Sequence, residues 1–154
     1  MSMKTNTKIL KVREYKPEDY MIIHRRKFDA LTFLNFPNPE AVAKSLAKGP
    51  AYTLTNGVPV ACSGILPLWK GVGEGWAVTS SLVEKYPIIF AKTIWRETVR
   101  LIKALDLDRI QTTVDAEHTV SQRWVERMGF VNEGLMKKYL GGRDYFRYAL
   151  IREK

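Results

Sequence analysis

The chain has 154 residues, 45% of them apolar, with 25 lysines and arginines against 16 aspartates and glutamates, a net charge of +9. That is the size and composition of one soluble domain, 1–154, and no apolar run approaches the roughly 20 residues of a membrane-spanning helix. The polar opening, residues 1–8, lacks the apolar run of a secretory leader, and the single cysteine, Cys62, cannot form an internal disulfide; both point to a reducing cytoplasm.

Residues 1–7 read as a loose tail and 9–15 as a first strand. Pro17, Glu18 and Asp19 suit the first turn of a helix, predicted over 17–33, with proline needing no N–H and the acids facing the positive end of the dipole. Asn38-Pro39-Glu40 opens a second, short helix that Gly49-Pro50 ends. Residues 52–55 and 58–66 flank Asn56-Gly57, which predicts a hairpin with a tight type I′ turn. A loop over 71–75 precedes a fourth strand, 74–79. Pro87 starts a long helix to about residue 105, with Ala91, Ile94, Trp95, Thr98, Leu101, Ile102 and Leu105 as its apolar stripe. A fifth strand over 108–115 follows. Thr119-x-x-Gln122 reads as a capping box for the next helix, whose apolar face is Val120, Trp124, Val125 and Met128 and whose stop is Gly129. Short strands over 130–133 and 145–152, separated by a polar loop and a Gly141-Gly142 turn, complete the chain. The fold class is therefore α/β (α+β): a mixed, mostly antiparallel sheet flanked by helices, with a right-handed parallel crossover from the fourth strand to the fifth.

Lys92, Arg96, Arg100 and Lys103 form a basic stripe on the long helix, read first as solvated surface and otherwise as a contact for an acidic protein or nucleic acid. The basic residues are scattered, without a block or tail. The aromatic-basic motifs of RNA-binding sheets are absent, which argues against nucleic acid as principal ligand. Cys62 sits in an apolar run and reads as a small buried hydrophobe. The tryptophans, Trp69, Trp76, Trp95 and Trp124, read as core or cleft wall. The histidines and the cysteine are too few and too isolated for a metal cluster, so no metal is expected.

The string His118-Thr119-Val120-Ser121-Gln122-Arg123-Trp124-Val125-Glu126-Arg127-Met128-Gly129-Phe130, followed by Glu133-Gly134, resembles the C-terminal half of the GNAT acyl-CoA N-acyltransferases. The nearest branch is the one that acetylates protein N-termini, whose pattern runs Asn-x-x-Ser-x-Arg, Glu-Lys-x-Gly-Phe, Glu-Gly. The order of elements is similar over most of the chain. The resemblance implies acetyl-CoA as co-substrate, an amine acceptor, a monomer or homodimer, and a V-shaped splay between the fourth and fifth strands. There the cofactor's pantetheine arm would lie along Trp76, Ala77, Val78 and Thr79. Its pyrophosphate would face the loop with Ser80, Ser81 and Lys85 at the start of the long helix.

That loop departs from the family's Arg/Gln-x-x-Gly-x-Gly/Ala. It has no glycine, Pro87 removes an N–H, and Glu84 adds a negative charge, which Lys85 and the serines partly offset. In the helix after the fifth strand, His118 stands where the family has asparagine, Ser121 and Arg123 keep the family residues, and Trp124 lies beside them. The family's tyrosine general acid falls on Val125. Glu74, on the same strand face as Val78, is the first candidate to take the proton of an incoming amine, with Asp115 and Glu117 as alternatives. A second resemblance, through Gly64, Trp76 to Ser80 and the basic helix, is to GNAT-like internal virion proteins of short-tailed phages. It implies a binding or assembly protein without catalysis, possessing the fold and not the chemistry.

Overall fold

A computed structural model describes residues 10–153; the expected tail over 1–7 and the start of the first strand lie outside them. The strands are β1 (Lys11–Glu14), β2 (Ala51–Thr55), β3 (Pro59–Trp69), β4 (Val72–Thr79), β5 (Arg109–Asp115), β6 (Val131–Leu140) and β7 (Arg143–Ile151). The helices are α1 (Pro17–Ile22), α2 (Lys27–Asn35), α3 (Pro39–Leu46), α4 (Pro87–Ala104) and α5 (Thr119–Arg127), with a 3-10 turn over Ser81–Lys85. The strands form one seven-stranded sheet in the order β1-β2-β3-β4-β5-β7-β6. Every neighbouring pair is antiparallel except β4 and β5. The mixed sheet with its one parallel crossover is the architecture the element order predicts.

Helices cover both faces. α4 and α5 pack Ile94, Leu101, Ile102 and Val125 against Leu54, Val60, Ile65, Ile110, Val114 and Tyr148. On the other face, α1 to α3 bring Tyr20, Ala43 and Phe33 onto Tyr15, Cys62, Trp76 and Val78. Cys62 is fully buried, and desolvation raises its thiol to about 11. It is an inert core group, as its sequence surroundings suggest.

Several local expectations give way to tertiary pairing. The helix expected over 17–33 is broken, because Ile23 and Arg26 are extended. The Arg26 N–H donates to the Thr79 carbonyl at 3.0 Å and Arg25 bridges Ser80, so this segment joins the end of β4. The hairpin turn is not type I′: Gly57 has φ 111°, but Asn56 does not enter the positive-φ region. Thr55 pairs with Pro59 across a longer loop in which the Thr55 hydroxyl donates to the Val58 carbonyl and accepts from the Gly57 N–H. Gly73 and Gly75 belong to β4 and not to a loop. A Cβ on Gly73 would meet Ile65 Cγ2 at 2.5 Å, and one on Gly75 would meet Ile110 Cδ1 at 3.1 Å, so these glycines permit close packing inside the sheet.

The capping box at Thr119 does not form. His118 is the N-cap, and the Gln122 side chain donates to the Asp115 and Ala116 carbonyls. The stop at Gly129 holds, with φ 97° and bonds from Gly129 N–H to Glu126 and Phe130 N–H to Val125, a Schellman ending. β6 runs far beyond 133 because Leu135, Met136 and Leu140 pair with β7, with irregularities absorbed at Gly134 and Lys138, whose φ values are positive. Trp69 and Trp95 are exposed, as is Val120, which lies in the first turn of α5 beyond its buried side. No described helix is long and apolar enough to cross a membrane.

Candidate functional site

The parallel pairing of β4 with β5 ends early. Val72, Gly73 and Glu74 pair with Arg109, Ile110 and Gln111, and the strands then separate. Alternation fixes which edge each later β4 residue presents. The Ser80 N–H donates to the Val60 carbonyl and the Trp76 carbonyl accepts from Ser63 Oγ at 2.8 Å, so the even residues face β3. Ala77 and Thr79 therefore turn their N–H and C=O groups into the splay. Of the expected arm-binding residues, Trp76 and Val78 contribute packing to the α1–α3 face, Trp76 edge-on to Tyr15 at 5.3 Å, and no backbone groups to the splay.

Thr79 is taken. Asp29 Oδ2 accepts from its N–H at 3.0 Å and from its hydroxyl at 2.8 Å, while Arg26 bonds its carbonyl. Burial pushes the Asp29 carboxyl up, against the bonds from Thr79. Ala77 is left as the open edge of the splay. Ser80 is buried and committed to Val60 and Leu82, whereas Ser81 and Lys85 are exposed. The loop has wound into the 3-10 turn, with Glu84 3.8 Å from Arg26. α4 starts at Pro87 without a side-chain cap, so the first-turn N–H groups of Ile88 and Ile89 have no partner within the helix.

The candidate carboxylates lie near the splay in different states. Glu74 receives Arg147 Nη1 on both oxygens at 3.1 Å, and both side chains remain about a quarter exposed. Asp115 is buried and gripped by Arg143, Nε to Oδ2 at 2.7 Å and Nη2 to Oδ1 at 3.1 Å. Burial opposes its ionisation, but Arg143 and the Glu117 N–H outweigh it and hold the carboxyl below the usual range. Glu117 is exposed and also bonded to Arg143, at 2.9 Å. Val125, where the resembled family has its acid, is buried and has no proton to give.

At the start of α5, His118 stacks on Phe28 with ring centroids 4.3 Å apart, and its Nε2 lies 3.1 Å from Ser121 Oγ. Arg123 is exposed, and Trp124 stacks on Phe90 at 5.4 Å. Burial, then the nearby Arg26, pushes the His118 imidazole below its ordinary value. The unfolded chain thus binds the His118 proton first on acidification. Stability from this residue is complete above about pH 6.5 and declines as the pH falls below it. Wild-type melting should drop between pH 7 and pH 5, and His118→Asn should flatten that dependence. An unchanged slope in the variant would remove His118 as its source. Asp29, Arg26, Arg143 and Arg147 were not singled out by the sequence, since acids and bases in a first helical turn or an alternating strand look like ordinary surface.

No protein-family model matches the sequence, and no curated protein is similar to it. Solved structures are similar. A GNAT-family acetyltransferase from Bacillus anthracis superposes with TM-score 0.70 at 18% identity, covering 94% of this chain and 96% of that one. The ribosomal-protein-S5-alanine acetyltransferase of Vibrio fischeri gives TM-score 0.70 at 17% identity, covering 94% of both chains. The spermidine/spermine N-acetyltransferase of Vibrio cholerae gives 0.66 at 13% identity, covering 93% and 95%. Over more than nine-tenths of its length, the chain has the fold of the GNAT acetyltransferases.

Proposed function

We propose that the protein is an acetyl-CoA-dependent N-acetyltransferase that acts in the cytoplasm on a primary amine, either a protein N-terminus or a small amine, by direct transfer. The observation that carries this reading is the splay, with Ala77 presenting an unpaired N–H and C=O, on a strand followed after one 3-10 turn by the uncapped start of α4. A strand-like arm fits such an edge, and an anion fits the helix start, where Lys85 adds positive charge.

Acetyl-CoA, when bound, supplies the activated thioester. Ala77 holds its arm in register, and Ile88 and Ile89 N–H groups receive the pyrophosphate. Glu74, fixed by Arg147, takes one proton from the ammonium; the free amine attacks the thioester carbon, the carbon–sulfur bond breaks as the amide forms, and the nitrogen's second proton passes through water to the departing thiolate.

Mixing protein, acetyl-CoA and a panel of peptides, polyamines and aminoglycosides should release free thiol. No release above background with any of them would sink the reading. Glu74→Gln keeps a partner for Arg147 but cannot take the proton, so turnover at neutral pH should fall about a hundredfold. The rate should recover as rising pH deprotonates the amine in solution. A flat pH difference between variant and wild type would leave Glu74 without this role.

One observation favours a second reading, a binding or assembly protein without catalysis. Asp29 and Arg26 occupy the Thr79 groups that an extended arm would also need, next to a loop without glycine. With the basic α4 surface, this reading calls for an acidic protein partner. Co-purification with one, in a manner sensitive to salt, together with no acetyl-CoA binding, would establish it.

A further inference from the structure

A cavity of about 60 Å³ begins in the splay and runs beneath the sheet on the α4 face. Gly75 and Ala77 of β4 and Ile110 and Thr112 of β5 border its opening, and Tyr52 of β2 lines its inner part. Ala77 is exposed and Tyr52 is only 4% exposed, so the cavity leads from solvent inwards. Tyr52 pairs with Ser63, and Ser63 with Ala77, which sets Tyr52 two strands in from the opening, roughly 10 Å. The volume is well above the roughly 10–15 Å³ that one ordered water needs.

The Tyr52 hydroxyl is buried without a hydrogen-bond partner. The neighbouring Ser63 hydroxyl donates its proton to the Trp76 carbonyl. A buried hydroxyl that bonds nothing is costly. Here it lines a mostly apolar cavity, continuous with the place where the thioester would lie.

We infer that this cavity receives the acyl group of the donor, and that it favours a short chain longer than acetyl with an oxygen near its far end, bonded by Tyr52. The apolar walls take the methylenes, and the hydroxyl supplies the single polar contact. The inference rests on the acyl-transfer reading above and extends its donor from acetyl to longer acyl groups.

The test is calorimetric titration of the full chain with CoA, acetyl-CoA, butyryl-CoA and 3-hydroxybutyryl-CoA. Butyryl-CoA should bind at least as tightly as acetyl-CoA, and 3-hydroxybutyryl-CoA about fivefold to tenfold tighter than butyryl-CoA. In Tyr52→Phe, which removes an unpartnered group and should melt no lower than wild type, the ratio between the last two should fall to one. Acetyl-CoA binding tightest, or a hydroxyacyl preference that survives in Tyr52→Phe, would overturn the inference while leaving acyl transfer standing. If CoA and all its esters fail to bind, the acyl-transfer reading falls and takes this inference with it.

Discussion

Asp19→Ala should destabilise the protein by about 3 kcal/mol, seen as a fall of roughly 6–12 °C in melting temperature. Asp19 is buried, yet four donors meet it. Arg13 Nη1 and Nη2 reach its two oxygens at 2.7 Å each, the Thr53 hydroxyl lies at 2.8 Å, and the Lys16 N–H at 3.0 Å. One carboxylate thereby joins β1, the start of α1 and β2. Alanine would leave the fully buried Thr53 hydroxyl with only the weak contact to Cys62 Sγ at 3.6 Å, and free the first turn of α1. The guanidinium of Arg13 is partly exposed and can return to water, which keeps the loss below that of a fully enclosed pair. Burial opposes the charge on Asp19, but Arg13, Thr53 and Lys16 outweigh it and hold the carboxyl below the usual range. Its contribution is therefore present above about pH 4 and disappears as the pH falls through the lowered folded value. A variant that melts within 2 °C of wild type, allowing for the roughly 2 °C that a surface change produces, would show that the network is replaceable by water.

Where a feature depends on neighbours in sequence, the sequence revealed it. The Gly129 stop and the Gly141-Gly142 turn emerge as read, because each is decided within a few residues, and the α4 stripe holds at Ile94, Thr98, Leu101 and Ile102 but not at the exposed Trp95. What stayed hidden depends on residues far apart. Asp29 falls inside the helix expected over 17–33, and nothing local tells that its partner is Thr79, fifty positions on. The break between α1 and α2 has the same origin, since the pairing of residues 25 and 26 with the end of β4 outweighs a continuous helical pattern. The partners of the candidate carboxylates were equally hidden: Asp115 meets Arg143 of β7, and Glu74 meets Arg147 of the same strand. Tyr52 had no distinguishing mark at all. Its significance is the cavity beside it, and a cavity is a property of packing that no spacing encodes.

The same separation bears on how the two functional readings divide. The fold sets the splay, and the splay alone would suit either an enzyme or a binder. The deciding object is the short edge between the last β4–β5 pair and the Asp29 contact, and on that edge only Ala77 offers both a donor and an acceptor. Asp29 and Arg26 act as the chain's own substitute for a ligand at Thr79. A bound arm would have either to stop at Ala77 or to displace them, so the affinity for acyl-CoA measures how firmly the α1–α2 segment is seated.

Ala77→Pro should therefore abolish acyl-CoA binding, weakening it at least about a hundredfold, with little loss of fold. The substitution removes the N–H that faces the splay and puts the ring's Cδ in its place. It leaves the bonds to β3 in place, because those belong to Trp76 and Val78. Proline's fixed φ will strain β4 somewhat, so Ala77→Gly serves as the companion: it keeps the N–H, loosens the strand, and should bind acyl-CoA within a few-fold of wild type. Both variants should be followed by calorimetric titration and by thermal melting. Loss of binding in the proline variant alone, with both proteins folded, assigns the arm to this edge. Equal binding in all three proteins would mean that the cofactor does not use β4 as a strand, and the proposed acyl transfer would lose the observation on which it stands.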